Sequence, residues 1–544
     1  MVTLNQAIRQ LIIIKIFAII TEISRIGNQT VRKLASLINR SKSSAHRHLH
    51  AIKKRNQHPE SSQWETEAGS AWLRLMVFAA LYQFGLKSGV GADTLSHFFK
   101  MVRVDTHVGV SPSALRTQLN NMERLLPRFQ NECEQRIKKE PRKIVAGLDE
   151  TFFGDFIILV LMDLRSGYLL LEDITEDRCF DTWHKKAMPR LEQLGIEVDH
   201  AISDRAKALI KMAITGFKCE SGADVFHAQQ DMIRWLGARI GKRVTTADKQ
   251  REIVQKAEKK ATNKASGFKL YLLKVAGIMA RKKLEDSKQA QIDYHENLQG
   301  ISQEIHPFSL TDNAINDAKN VEERLETRAQ AFEQIASNQD IPDNKNVMKK
   351  FRKQFKPLAI SIDFWWLWIN DTLESLVVDK DIQPWLTTTL LPVVYWHHKV
   401  EQTKKPKVRE KYRQAWERAT DLFKEHPVSA TLSESEMQHW LTWADNMVRQ
   451  FHRSSSAVEG RNGCLSQMYH NGRGLSKKRL KALTVIHNYG IRRTNGTTAA
   501  MRLFDTDFPD IFSWLLDEMG ELPLPRKERG TAIPNPLKLI GVPS

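Results

Sequence analysis

The stretch from Lys143 to Ile174 constrains the fold more than any other part of the sequence. It contains three apolar runs, KIVAGLDETF, DFIILVLMDL and GYLLLEDITE, joined by a short connection and the turn RSG. Short apolar runs separated by turn residues predict strands, here an antiparallel meander. Asp149 interrupts the first run, and a carboxylate inside a buried strand is costly unless it has a partner. The position of Asp149 therefore indicates a functional role.

The segments that follow predict an α/β layer. A helix, DTWHKKAMPRLEQLG, leads to a fourth strand, VDHAISDRA, and a second helix, AKALIKMAITGF, leads to a short fifth strand, ADVFHA. The order β-β-β-α-β-α-β favours a mixed sheet. Because the first and fourth strands are neighbours in such a layer, we expect Asp149 and Asp204, which ends the fourth strand, to converge at one edge.

Convergent carboxylates predict a bound cation. Two carboxylates close together repel each other, and desolvation adds to the cost, unless a cation lies between them. Hard divalent cations such as Mg²⁺ prefer oxygen ligands held in this way. We interpret Asp149 and Asp204 as metal ligands, although Asp204 is also suited to capping the helix that begins at Ala206.

A third ligand is expected from a later helix, and SSSAVEGRNGCLSQMYH offers Glu459. The alternative is an ordinary glutamate on a helix surface. His227 follows the fifth strand and is expected near the site, where it either contacts a scissile phosphate or is a structural histidine. Three carboxylates that hold two Mg²⁺ ions are suited to in-line displacement at phosphorus.

The charge of the chain predicts a polyanionic partner. The 544 residues carry a formal charge of +19, with an isoelectric point near 9.6, and nucleic acid is the commonest partner of such chains. Anionic membranes are the alternative, but no apolar run reaches the roughly 18 residues that span a bilayer. The four cysteines are scattered without metal-binding spacing, which favours a reducing cytoplasm over a disulfide framework.

Two helical modules precede the sheet. Residues 1–55 contain NQTVRKLASLINRSKSSAHRHLHAIKKR, which is typical of a helix-turn-helix, and residues 64–135 form a second module that either reads DNA or is scaffold. The second helix of the first module carries four residues suited to base edges and phosphates in a major groove: Lys42, Ser43, Arg47 and His50. A generic basic helical hairpin is the alternative.

The other segments are mainly helical. We predict the α/β core at residues 140–240, a helical insertion at 241–445, a helix with Glu459 and a basic run at 446–505, and a C-terminal helix with a proline-rich tail at 506–544. Residues 460–504 contain nine Lys or Arg residues and no acid. Because solvated faces usually mix charges, this run predicts contacts with a DNA backbone through Arg461, Arg473, Lys477, Lys478 and Arg479.

With GLDET, ISDRAKAL and SSSAVEGRNG in this order behind a helix-turn-helix, the chain resembles DDE transposases of bacterial insertion sequences over about residues 1–500. The resemblance implies an RNase H-like catalytic domain in which Asp149, Asp204 and Glu459 bind two Mg²⁺ or Mn²⁺ ions. It also implies cleavage of double-stranded DNA at transposon ends and transfer of the freed 3′ ends into target DNA. A homodimer or higher oligomer on DNA is expected, in the cytoplasm at the nucleoid and not on a membrane.

One departure concerns spacing. Asp204 and Glu459 are 255 positions apart, far more than the core fold needs, which implies that the helical insertion interrupts the catalytic domain. Two other functions fit the same residues. One is a non-catalytic DNA-binding regulator derived from a transposase, and the other is a metal-dependent nuclease of the same fold that cuts DNA without joining strands.

Overall fold

The structure is a computed structural model that describes residues 30–523, apart from gaps at 38, 40, 47–48, 51–62, 65, 139, 155, 262–265, 377, 380, 453–455 and 472–473. The chain divides into two compact units. The sheet unit is Lys138–Cys464, and the helical unit is made of Met1–Ile137 and Leu465–Ser544. The boundary falls inside the predicted 446–505 segment.

The sheet unit contains a five-stranded mixed sheet. Its strands are β1 Arg142–Phe153, β2 Phe156–Asp163, β3 Leu169–Thr175, β4 Ile196–Ser203 and β5 Glu220–Ala223, in the spatial order β3-β2-β1-β4-β5. Strands β1, β2 and β3 pair antiparallel, whereas β4 is parallel to β1 and β5 is parallel to β4. The predicted order of strands and helices is confirmed, as is the predicted adjacency of the first and fourth strands.

Turn chemistry explains how the strands are connected. The β1–β2 hairpin turns at Gly154, with φ +54°, and the β2–β3 hairpin turns at Gly167, with φ +77°. Only glycine adopts these left-handed conformations at little cost. The helix Phe180–Leu194 crosses back to the sheet and ends at Gly195, again left-handed at φ +65°, which is a common helix terminus. The crossover makes β4 parallel to β1.

Helices make up the rest of the sheet unit. A short helix, Lys207–Lys211, with the π-helical turn Met212–Phe217, separates β4 from β5. The helices that follow β5 are Val225–Met232, Ala238–Ala261, Gly267–Glu304, Ala318–Asn338, Lys345–Arg352, Phe355–Ser375, Ile382–Trp385, Leu391–Gln402, Pro406–Glu425, Pro427–Thr431, Glu434–Arg449 and Ser456–His470, with π-helical turns at Ile233–Gly237 and Leu386–Leu390. The residues of the last helix up to Cys464 belong to this unit. They bury an aromatic core that includes Trp365, Trp385 and Trp396. Among the described residues, no helix combines the length and apolar character needed to cross a bilayer.

The helical unit contains Val31–Leu37, Glu67–Ala80, the π-helical turn Leu81–Lys87, Ala92–Met101, Pro112–Gln135, Lys477–Gly490, Ala499–Phe504 and Ile511–Glu518. Phe129 packs against both Tyr489 and Trp514, with ring centroids 5.6 and 5.2 Å apart. The predicted second module and the C-terminal helices therefore share one core. Of the predicted helix-turn-helix, residues 31–37, 42–46 and 49–50 are helical, and Arg47 lies outside the described residues.

Strand β4 carries a buried histidine. His200 is 1% exposed, and neither ring nitrogen has a hydrogen-bond partner among the described residues. Its ring stacks on Phe364 at 5.0 Å. Burial lowers the pKa of His200 to about 4. The folded protein therefore holds this ring neutral at pH values where an unfolded chain protonates it.

This burial predicts sensitivity to acid. The contribution of neutral His200 to stability is fully present above its unfolded pKa of about 6.5 and is lost as pH falls toward 4. The free energy of unfolding should therefore decrease by about 2 kcal/mol between pH 7.5 and pH 5. Replacing His200→Leu should remove that part of the pH dependence in urea unfolding. Replacing the exposed His184→Leu should leave the slope unchanged, and an unchanged slope in His200→Leu would contradict the assignment.

Candidate metal site

Asp149 lies in β1 with its side chain buried, and only 8% of the residue is exposed. Its Oδ1 accepts the N–H of Glu150 at 2.8 Å, and its Oδ2 accepts an Nδ2–H of Asn462 at 2.7 Å. A carboxylate oxygen has more than one lone-pair direction. Both oxygens of Asp149 can therefore still bind a cation.

Asp204 follows β4 at the same level of the sheet as Asp149. The last register pair between β1 and β4 is Gly147 with Ile202, two residues before each aspartate. Asp204 is exposed, and its Oδ1 accepts the N–H of Ala206 at 2.8 Å. Asp204 thus makes a local turn contact before the helix Lys207–Lys211, but it does not cap that helix, whose N-cap residue Ala206 has no side-chain cap hydrogen bond.

Glu459 reaches the sheet on the helix Ser456–His470. The preceding residue, Val458, is fully buried and packs over Gly147 of β1. A Cβ placed at this glycine would lie 2.8 Å from Val458 Cγ2. The missing side chain at Gly147 therefore allows the helix to approach β1 closely, two residues before Asp149.

Two polar contacts fix this helix on the sheet. The Arg461 guanidinium donates from Nε and Nη2 to the two carboxylate oxygens of Glu172 in β3, each at 2.7 Å. Asn462 makes the contact with Asp149 given above. Residues three apart lie on one helix face, so Asn462 and Glu459 both approach Asp149.

His227 comes to the same site in the first turn of the helix Val225–Met232. Asp224 caps this helix, because its Oδ1 accepts the N–H of Phe226 at 2.9 Å. The Asp224 N–H in turn donates to the carbonyl of Ser203, at the end of β4, at 3.0 Å. The start of the helix is therefore attached to the strand end that precedes Asp204.

Asp149, His227 and Glu459 form a group that could hold a metal ion. One ligand atom from each lies within 4.8 Å of the other two. The His227 Nε2 atom is 3.5 Å from Glu459 Oε1, yet it is buried and has no hydrogen-bond partner among the described residues. An ion with ligand bonds of about 2.1 Å separates its ligands by roughly 3 to 4 Å. Small side-chain rotations would bring the three atoms to these separations.

Several carboxylates affect one another at the site. Burial, together with the Glu459 and Asp204 carboxylates, raises the pKa of Asp149 to about 7, against the opposing effects of the Glu150 N–H and His227. The Glu459 carboxylate raises the pKa of His227. A cation would stabilise the ionised carboxylates. The residues present therefore fit a divalent cation, with Asp149, His227 and Glu459 as ligands and Asp204 near enough to contribute to its field.

Two residues predicted to contact DNA are buried instead. Arg461 is 5% exposed and its guanidinium is paired with Glu172. Arg479 is 3% exposed and donates from Nη1 to the carbonyl of Gly474 at 2.6 Å. Both predictions are wrong because a run of basic residues does not reveal which side chains turn inward.

The other predicted DNA contacts stay predictions. Within the part of the chain that the structure describes, the side chains of Lys42, Ser43, His50, Lys477 and Lys478 are exposed. Arg473, like Arg47, lies outside the described residues.

Two residues that organise the site were not identified from the sequence. Asn462 follows Glu459 by about one helical turn, and this spacing could have indicated that both side chains face the site. Glu172 stands in the apolar run LLLEDI, and a buried acid in a strand is the same signal that identified Asp149. Its partner is 289 positions away, so no local pattern pairs them.

The raised pKa of Asp149 predicts a stability effect with a defined sign. Ionised Asp149 is disfavoured in the folded protein. In a chelating buffer that removes metal ions, its ionisation should therefore lower the free energy of unfolding progressively as pH rises from 5 to 8. The decrease should be about 2–3 kcal/mol for a pKa that rises from 3.9 in the unfolded chain to about 7 in the folded protein. Asp149→Asn should therefore gain stability relative to wild type over this range. Adding Mn²⁺ should stabilise wild type and not the variant. A gain independent of pH would contradict this account of the site.

Comparison with known protein families gives a match over part of the chain. Residues 386–531 match a protein family of unknown function, DUF6399. The matched segment includes Glu459 and Asn462 but not Asp149, His227 or Asp204. No curated protein matches the chain. The chain is thus similar to DUF6399 over its C-terminal helices.

Proposed function

We propose that the protein is a metal-dependent DNA transposase of the DDE type, with an RNase H-like core, which cleaves strands at transposon ends and transfers them into target DNA. The observation that carries this proposal is the parallel pairing of β1 and β4. It brings Asp149 and Asp204 to one level of the sheet, beside the helix that carries Glu459. This arrangement supports the catalytic role that the resemblance to DDE transposases implies for the three acids.

The proposed chemistry assigns a task to each residue. A divalent ion, when bound, would polarise a phosphodiester and lower the pKa of an attacking water or 3′-hydroxyl. Asp149 and Glu459 would hold that ion. Asn462 donates to Asp149 Oδ2 and fixes its orientation. Asp204, which is exposed, is available to a second ion or to substrate at the open side of the site.

Double-stranded DNA is the proposed partner. A formal charge of +19 favours a polyanion, and exposed Lys477 and Lys478 lie in the first turn of the helix Lys477–Gly490. We further propose that the protein acts on DNA in the cytoplasm as a homodimer or higher oligomer, because a transposase must engage two transposon ends. Two alternative functions would replace this proposal. The protein would be a regulator if it binds DNA without cleaving it, and a nuclease if it cleaves DNA without joining the strands.

The first test separates DNA binding from cleavage. Glu459→Gln keeps the side-chain shape but loses the charge that holds a divalent ion. It should bind normally the duplexes from flanking DNA that wild type binds, yet nick them on the order of a thousandfold more slowly with Mg²⁺ or Mn²⁺. The exposed Glu323→Gln is the matched control and should cleave at the wild-type rate.

The products decide between the alternatives. Wild-type protein that cleaves these ends but never joins them to a target plasmid would be a nuclease. Protein that binds the ends and leaves them intact under all metal conditions would be a regulator. Cleavage by Glu459→Gln at the wild-type rate would show that Glu459 is not a ligand.

The second test concerns the DNA backbone. Replacing both Lys477→Ala and Lys478→Ala should weaken binding to all duplex sequences alike and reduce the slope of log affinity against log salt by about 2, since each phosphate contact releases about one counterion. Replacing the exposed Lys407→Ala is the control for the loss of one surface charge. An unchanged salt slope in the double variant would exclude these lysines from the interface.

A further inference from the structure

We infer that His227 is a direct metal ligand, so that Asp149, His227 and Glu459 form a mixed carboxylate–imidazole site that prefers a transition-metal dication such as Mn²⁺ over Mg²⁺. The inference rests on the proposed function only in taking this site as the reaction centre. Metal binding itself can be measured without DNA.

Geometry is the first support. The ligand atoms of His227, Asp149 and Glu459 come from three different elements, a helix after β5, strand β1 and the helix Ser456–His470, and lie within 4.8 Å of one another. The buried Nε2 of His227 has no hydrogen-bond partner among the described residues. Its contact with Glu459 Oε1, at 3.5 Å, is too long for a strong hydrogen bond, and a metal bond would satisfy this buried atom.

The competing interpretation is an ion pair between protonated His227 and Glu459. Their atoms are 3.5 Å apart, which suits electrostatic attraction. One imidazolium, however, carries a single positive charge, whereas Asp149 and Glu459 together carry two negative charges when ionised. A dication balances both carboxylates, and it uses the Nε2 lone pair that an imidazolium lacks.

The donor set then selects the metal. Mg²⁺ demands oxygen ligands in near-ideal octahedral geometry and gives up its waters reluctantly. Imidazole nitrogen is a better ligand for transition-metal ions, and Mn²⁺ among them also accepts carboxylates readily. One nitrogen with two carboxylates therefore shifts preference from Mg²⁺ toward Mn²⁺. Asp204, outside this group of three, adds negative potential without being a ligand to the same ion.

Electron paramagnetic resonance on the full-length protein with Mn²⁺ tests the inference. Wild type should show electron spin echo modulation from a directly bound ¹⁴N nucleus, and the pattern should change when histidine is labelled with ¹⁵N. His227→Ala should lose this coupling and bind Mn²⁺ at least about a hundredfold more weakly, because loss of even an outer-shell partner costs 10–100-fold. The exposed His184→Ala is the matched control and should keep both.

The direction of the affinity change separates the two interpretations. If His227 only pairs with Glu459, then His227→Ala removes a competitor and Mn²⁺ should bind more tightly. Tighter or unchanged binding overturns the inference, and so does a nitrogen coupling that persists in the variant.

A second variant covers the case in which His227→Ala does not fold. His227→Asp supplies an oxygen ligand instead, so it should keep Mn²⁺, lose the ¹⁴N coupling and gain affinity for Mg²⁺ relative to Mn²⁺. The same Mg²⁺ to Mn²⁺ ratio as wild type would overturn the inference.

The outcomes also distinguish this inference from the proposed function. Mn²⁺ that is bound without nitrogen, and released by Glu459→Gln, overturns the role of His227 and leaves the carboxylate site intact. Mn²⁺ that is bound with nitrogen, in a protein that never nicks transposon ends, supports His227 and overturns the transposase.

Discussion

The buried ion pair between Arg461 and Glu172 is the interaction on which the candidate site depends. The two side chains are 4% and 0% exposed, and both guanidinium contacts are 2.7 Å long. Burial of two charges is expensive, and removing one partner of such a pair typically costs about 3–5 kcal/mol. The bidentate geometry allows little rotation of the helix about its axis. Glu459, two residues earlier, is held toward Asp149 as a result.

After β5, the long path to Glu459 consists mainly of helices, and these helices contact the sheet. Phe364 and Trp365 are adjacent in one helix. Phe364 stacks on His200 of β4, and the Trp365 indole N–H donates to the carbonyl of Met447 at 2.9 Å. Met447 belongs to the last helix before the one that carries Glu459. The aromatic core thus connects the sheet to the segment that returns the third acid to it.

Local patterns in the sequence predicted the sheet well but could not predict the inside of the site. The alternation of apolar runs and turns gave the strand order, and the crossover gave the parallel neighbours that bring Asp149 and Asp204 together. Arg461 was misassigned to DNA because its partner, Glu172, lies in a strand far away in the chain. His227 could be placed near the site, since it follows β5, but a position after a strand does not reveal where the ring nitrogen points. Contacts between residues that are far apart in the sequence determine these side-chain positions, and such contacts depend on the packing of the folded chain.

The most direct test of the account is anomalous diffraction at the manganese absorption edge from crystals of the protein grown or soaked with Mn²⁺. We expect a peak bonded to Asp149, His227 and Glu459, with the Asn462 amide still donating to Asp149. Peaks beside Asp149 that all lack His227 as a ligand, or no peak beside Asp149 in crystals that bind Mn²⁺ elsewhere, would contradict it.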